Sequence, residues 1–418
     1  MNDSAPSLAL QAADIGYDDG RHSAGKALVL HAPLGASRLL AAPDDRRLHV
    51  LDAFSAVLWD LQREGWSLSS LATLLAQRYG LTQQQAHEQV RARWRMWGDA
   101  GLIDERGSPA HEARWPLAQS DDPVWPPPSP RPLAPGARRV VVADRHIALR
   151  MADPLLQCLI DDALGSAHAA RMQAWPLNDV HHALTLQGSV DAWRLNLGGA
   201  TVRQGKSADA ALVATLSTLT ELGCRPAERM LVVHGAGLVD VDGRGLLLVA
   251  PGGSGKTTLA AALDTAGYSL LSDDVVPVNA AGELLGLGLP FCLKPGSWPV
   301  LASRRPGLMD RPAVQRFSQT VRFMPALQPA AGAAVPTACL LLSRYAPGEA
   351  PGHARISPEQ ALQGLIEAEA VLRDLTQPKI EALANWLNKV PAFSLNYPNL
   401  ASGLALVQQC HACHDSRP

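Results

Sequence analysis

Residues 250–258 read Ala-Pro-Gly-Gly-Ser-Gly-Lys-Thr-Thr. They follow an apolar run, Gly245–Ala250, and open a stretch rich in helix formers, Thr257-Thr258-Leu259-Ala260-Ala261-Ala262-Leu263. A strand, a glycine-rich loop and a helix in that order make a phosphate cradle. Successive backbone N–H groups point inward, and the helix start adds partial positive charge. The spacing predicts that Lys256 reaches β- and γ-phosphates and that Thr257 offers a hydroxyl to Mg²⁺. Gly252, Gly253, Ser254, Gly255 and Thr258 complete the expected nucleotide-binding set, with ATP and Mg²⁺ as the cofactors. One position departs from G-x-x-x-x-G-K-[ST]: Ala250 stands where the first glycine belongs. A chain built around such a unit is expected to be α/β, a mixed sheet flanked by helices.

A nucleotide site also needs a carboxylate beside the loop hydroxyl for the metal, and a base near any alcohol acceptor. The apolar stretch Tyr268–Ser272 ends at Asp273-Asp274. It lies one helix beyond the loop, which predicts a strand next to the P-loop strand. One aspartate can then approach the metal while the other faces the acceptor. The sequence leaves open which does which. His234 closes the strand Met230–Val233 and is expected at the same sheet edge.

The chain has 418 residues, room for about two to three domains. Its net charge of −2 argues against coating nucleic acid or a membrane surface. No apolar run is long enough to span a bilayer, and the first twenty residues lack a basic-then-apolar export signal. Six scattered cysteines suit a reducing compartment, so a cytoplasmic protein is expected. Cys410-His411-Ala412-Cys413-His414 matches C-x-x-C-H formally, but haem attachment needs export. The run reads as part of a tail, 410–418, with a weak metal site as the second choice.

Residues 1–26 are expected to be flexible. Ala27–Ala42 and Arg46–Asp52 predict short strands around Pro43-Asp44-Asp45. Three helical patterns follow, over Ala53–Glu64, Leu68–Tyr79 with Ser67 as N-cap, and Gln83–Ala100 with Thr82 as N-cap. Residues 105–138 are proline-dense and predict an extended spacer. A second unit spans 139–409, with strands or helices expected at 139–143, 154–164, 193–197, 208–222, 336–342, 358–372, 379–389, 392–397 and 400–409.

The first unit, 27–104, resembles the PqqD-like peptide-binding family, also called the RiPP recognition element. The likeness rests on Val50-Leu51-Asp52, Val57-Leu58-Trp59-Asp60-Leu61, Leu71…Tyr79-Gly80 and Gly101-Leu102-Ile103. It implies a small winged-helix-like α+β domain that binds a precursor peptide's leader by β-augmentation, between Arg46–Asp52 and Ala86–Trp97. Without it, Trp94 and Trp97 are simply core. Val233-His234-Gly235, the P-loop and Leu270-Leu271-Ser272-Asp273-Asp274 together look like the HPr kinase/phosphorylase core, whose fold is shared with PEP carboxykinases. That resemblance implies that His234 and Asp274 serve the acceptor hydroxyl and that Thr257 and Asp273 serve the metal, catalytic roles that join the one read for Lys256 from the loop. It also suggests Lys294, in Leu293-Lys294-Pro295, as a phosphate contact. Among Arg304, Arg305, Arg311, Arg316 and Arg322, the short strand pattern of Val321-Arg322-Phe323 favours Arg322. Thr258 replaces the acid common after the loop hydroxyl in the regulatory kinases, which speaks against reverse phosphorylase activity.

The expected function is a leader-guided kinase acting on a Ser or Thr hydroxyl of a ribosomally made precursor peptide, similar to lasso-peptide tailoring kinases. Two alternatives stay open: ATP-dependent activation of a carboxylate or amide for crosslinking, and a non-catalytic nucleotide-dependent scaffold. Nothing in the sequence fixes the oligomeric state, and a homo-oligomer is left open.

Overall fold

The computed structural model describes residues 29–41, 48–103, 136–165, 180–225, 228–372 and 374–412. The proposed flexible N-terminus, most of the proline-rich spacer, and Cys413 and His414 lie outside them. The described residues form two compact units of mixed α/β structure. The first comprises those before 119 with Ser357–Glu359 and Asp374–Lys389; the second takes the rest.

The first unit opens with β1 (Leu30–Leu34), β2 (Ser37–Ala41) and β3 (Leu48–Leu51), an antiparallel sheet in that order. Three helices follow: α1 (Ala53–Arg63), α2 (Leu68–Tyr79) and α3 (Gln83–Asp99). Each begins where a short polar side chain takes up an orphan backbone N–H. Asp52 accepts from Ser55, Ser67 from Ser70, and Thr82 from Gln85, the last within a full capping box. Gly80, left-handed at φ 65°, stops α2. The helices bury Leu58, Leu71, Leu75, Ala86 and Val90 around Trp59 and Trp97, whose rings meet edge to face at 5.3 Å. Trp94 packs partly buried beside them.

The helix at Gln377–Lys389, α9 in chain order, belongs to this unit. It thus falls outside the second unit, although the sequence predicts that unit over 139–409. The reason is side-chain amide chemistry. The Gln377 side chain accepts from the His31 N–H at 3.1 Å and donates to the His31 carbonyl at 2.7 Å. Asn388 repeats the pattern, accepting from Gly35 N–H at 2.7 Å and donating to the Pro33 carbonyl at 3.0 Å. The two amides thus cover the outer edge of β1, which would otherwise carry unpaired backbone groups. β3 has β2 as its one strand partner among the described residues.

The second unit carries a five-stranded sheet of β4 (Arg138–Val142), β5 (Arg145–Met151), β6 (His182–Ser189), β7 (Ala192–Leu197) and β8 (Ala200–Gly205), in that order. The helices α4 (Pro154–Leu164) and α5 (Ala208–Cys224) share its core. The larger sheet holds the site. It contains β9 (Leu231–Val233), β10 (Gly235–Val239), β11 (Gly245–Val249), β12 (Ser269–Ser272), β13 (Val276–Val278) and β14 (Glu283–Leu285). Three more strands, β18 (Ala334–Tyr345), β19 (Gly352–Arg355) and β20 (Ala392–Tyr397), complete it. The order is β12-β10-β11-β18-β14-β13-β9, and β20 pairs with β18. A third sheet, β15-β17-β16, is built from Phe291–Leu293, Gln319–Met324 and Val314–Arg316. The remaining helices are α6 (Lys256–Thr265), α7 (Trp298–Leu301), α8 (Pro358–Glu367) and α10 (Leu400–Ala412).

Three expectations need correction. The strand ending at the aspartates, β12, does not adjoin the P-loop strand β11: β10 turns back through residues 240–244 as a hairpin and takes that flank. The 358–372 helix stops at Glu367. Finally, α10 runs to Ala412, so Cys410 and His411 are buried helix residues rather than tail; the Tyr268 hydroxyl and Asp240 carboxylate each approach His411 Nδ1 at 3.4 Å.

α6 is held by an ion pair. Asp264 and Arg305 are both fully buried and bonded to each other. Asp264 also accepts from Leu327 N–H at 3.0 Å, and Arg305 donates to the Pro325 carbonyl and lies over the Phe291 ring. Breaking one half strands the other charge, so Arg305→Met is expected to cost about 3–5 kcal/mol in denaturant unfolding. Adding Asp264→Asn should recover part of that loss; a single variant within 1 kcal/mol of the parent (roughly the surface-pair range) would show the pair to be inert.

His182, buried on β6 with Nε2 unpartnered, has its pKa pushed from 6.5 to about 4, first by burial and then by Arg145 and Arg225. The folded ring is neutral where the unfolded ring would charge. Between those values the unfolded chain binds more protons, so this contribution is present above about pH 6.5 and is lost as pH falls toward 4. Stability measured at pH 7 and pH 4.5 should therefore fall more for the parent than for His182→Gln. Equal falls would refute this.

Candidate functional site

The loop after β11 closes on α6 through Gly255, left-handed at φ 88°, with no side chain capping the helix start. Gly253 is left-handed too, at φ 79°. The first N–H groups of α6 are thus spared from a side-chain cap, as anion binding requires. The Ser254 hydroxyl oxygen is buried without a partner. Lys256 is buried, and its ammonium group donates to the carbonyls of Ala250 and of Pro251, the latter at 3.1 Å. Ala250 therefore takes part through its backbone carbonyl. Burial lowers the Lys256 pKa, while Asp273 and Asp274 oppose that shift.

His234 reaches the loop by a route the sequence only partly suggested. It lies between β9 and β10, and Gly235 pairs with Val249, the last residue of β11. A Cβ at Gly235 would stand 2.6 Å from the Leu248 carbonyl oxygen, so glycine keeps the two strands in contact there.

Asp273 and Asp274 follow β12 and part company. Asp273 accepts from Cys292 N–H at 3.3 Å, and its Oδ1 is buried with no partner. Burial, and then the charge of Asp274, push its pKa up to about 7, while Cys292 N–H and Thr257 favour the ionised form. Asp274 adopts φ 71°, a left-handed conformation uncommon outside glycine. Backbone strain of this kind collects at functional sites. It turns the carboxylate toward Arg316, at 2.8 Å, and toward His234 Nε2, at 3.5 Å. Burial and Lys256 lower the His234 pKa against the opposing pull of Asp274, which favours a neutral ring.

His234, Lys256, Asp274 and Arg316 line one cleft of about 860 Å³ with Lys294, Ser297, Val300, Phe317, Tyr345 and Tyr397, and Asp273 is not among its lining residues. Thr257 and Thr258 line it too, and the Thr258 hydroxyl meets that of Ser297 at 2.7 Å. Lys294 is exposed at the cleft wall.

Arg322 is placed differently from expectation. Its guanidinium donates to the carbonyls of Leu308, Met309 and Arg311 and stacks on Trp298 at 4.6 Å, so it fastens a loop. Arg316 occupies the cleft instead, bonded to Asp274 and to the Cys292 sulfur at 3.3 Å. Its signal was its position on β16, in a hairpin whose Phe317-Ser318 turn carries no glycine or asparagine.

The residues fit a hard divalent cation. Thr257 and Asp273 supply oxygen donors, and the unpartnered Asp273 Oδ1 is a buried acceptor that lacks only a donor or a positive charge. Among the described residues no group of three or more His, Cys, Asp or Glu side chains is arranged to hold a metal. Mg²⁺ needs no such cage, because substrate phosphates complete its shell. No helix among the described residues is long and apolar enough to cross a membrane.

No protein-family model matches the chain, and no curated protein does. Among solved structures it is similar to the Hpr(Ser) kinase/phosphatase from Coxiella burnetii, at 14% identity over 44% of this chain and 95% of that one. The TM-score is 0.22, a likeness too slight to carry an argument.

Proposed function

We propose that the chain is an ATP-dependent phosphotransferase of the HPr-kinase-like kind, which phosphorylates a Ser or Thr hydroxyl of a ribosomally made precursor peptide. The observation that carries this reading is the meeting, in one cleft, of an uncapped glycine-rich helix start with the Asp274–His234–Arg316 group.

In this reading Thr257 and Asp273 hold Mg²⁺, which when bound neutralises charge on the β- and γ-phosphates. Lys256 supplies a further positive charge at the loop. Asp274 accepts the proton of the acceptor hydroxyl, and neutral His234 orients it. The acceptor oxygen forms a bond to the γ-phosphorus as the bond to the β–γ bridging oxygen breaks, and ADP leaves. Arg316 holds Asp274 in place and offers positive charge beside the transferring group.

The first unit supports a peptide-binding role of the PqqD-like kind. With β1 covered by Gln377 and Asn388, β3, whose one strand partner among the described residues is β2, is the strand proposed to receive the leader, and α3 is the helix expected beside it. Holding the leader makes the core peptide's encounter intramolecular, so weak contacts at the cleft suffice.

The test is intact mass after incubating the full chain with ATP, Mg²⁺ and short Ser/Thr-containing precursor peptides encoded beside its gene. A gain of one phosphate is expected; loss of water would favour crosslinking chemistry, and an unchanged peptide despite nucleotide binding a scaffold. Asp274→Asn should keep nucleotide binding and lose transfer by about 10²–10⁴-fold. Asp273→Asn should instead weaken the Mg²⁺-dependent part of nucleotide binding. Full transfer in both variants would remove the kinase assignment. Lys256→Ala should abolish ATP turnover in a chain that still unfolds cooperatively, and normal turnover would exclude the phosphate-loop role.

A further inference from the structure

The cleft has two flanks. In the sheet order, β10 and β12 lie on one side of β11 and β18 and β20 on the other. His234 immediately precedes β10 and Asp274 follows β12, whereas Tyr345 and Tyr397 are the last residues of β18 and β20. β11, β18 and β20 run parallel, so their C-terminal ends share the edge that carries the phosphate loop. Val249 pairs with Leu342, which leaves Tyr345 three residues farther along, about 10 Å past the end of β11 at the rise of a strand.

We infer that Tyr345 is the stacking platform for the nucleoside base of the bound triphosphate, with Tyr397 as its buried prop. The inference rests on the proposed phosphate-loop function and adds a ligand subsite to it. A triphosphate whose terminal group faces Asp274 and His234 must lead its nucleoside away from them, toward the opposite flank. Tyr345 lines the cleft there and is 49% exposed, which is unusual for a large ring in a concave site. Its backbone is fixed by pairing with Tyr397 and by the Ala346 N–H bond to the Tyr397 carbonyl at 2.9 Å. The two rings lie 5.8 Å apart at 50°. Tyr397 is 3% exposed, and a Cβ at Gly255 would stand 3.4 Å from its hydroxyl, so the prop sits against the helix start itself. Phe317, the other exposed ring at the cleft, lies on the acidic flank beside Arg316, where the acceptor must approach.

The experiment compares ATP with inorganic tripolyphosphate, both with Mg²⁺, by titration calorimetry on the full chain. Stacking on an aromatic ring is sequence-tolerant and worth roughly ten- to hundredfold in affinity. Tyr345→Ala should weaken ATP and GTP by about that factor and leave tripolyphosphate unchanged, while Tyr345→Phe keeps the parent affinities. Equal loss for nucleotide and tripolyphosphate, or no loss for either, overturns the platform. If the parent binds tripolyphosphate as tightly as ATP, the platform fails while the phosphate loop stands. If the parent binds neither, both fail together.

Discussion

A helix start serves an anion only if its first N–H groups have nothing else to bond. Here Gly255 meets that condition by taking a left-handed conformation and bringing no capping side chain. Serine, threonine or aspartate caps begin α1 to α3, α4 and α5 in the same chain, so the uncapped start of α6 stands apart from them. The cost of leaving those groups open is offset by fixing the rest of α6 firmly. Leu259, Ala260, Ala261, Ala262 and Leu263 are all buried, and the last turn is anchored through Asp264 to Arg305 and the chain at 325–327. The small alanines let the helix lie close to the sheet. The result is a helix rigid at one end so that the other can stay chemically unsatisfied.

The same economy applies to the carboxylates. Asp273 and Asp274 are neighbours in sequence but occupy different environments, one enclosed and one open to the cleft. The left-handed turn at Asp274 separates them. Enclosure makes Asp273 reluctant to ionise without a positive partner, whereas Arg316 keeps Asp274 matched with charge. Two identical side chains thereby sit in different electrostatic surroundings.

What could be read in the sequence was whatever is local. The glycine-rich loop between β11 and α6, the Ser67 and Thr82 caps and the helices they start are set by contacts within a few residues, and they lie where the sequence places them. Sheet order is not local. The insertion of β10 between β11 and β12 follows from a hairpin whose alternative pairings look alike in the sequence. The choice of Arg316 over Arg322 depends on which carbonyls and carboxylates the folded chain brings near each, and Val321-Arg322-Phe323 gave a strand without showing which groups its arginine would meet. The pairing of α9 with β1 was hidden for the same reason, since Gln377 meets His31 across 346 positions.

That last pairing bears on how the molecule comes to be made. A ribosome delivers the chain from its N-terminus, and the three strands and three helices of the first unit emerge before the phosphate loop exists. Yet the outer edge of β1 finds its cover only when Gln377–Lys389 has been synthesised. Until then the nascent chain lacks that cover on β1, and an uncovered strand edge is the kind of template that recruits other chains. Completion of the N-terminal unit therefore waits on a segment made after β11, α6 and Asp273-Asp274 have already emerged.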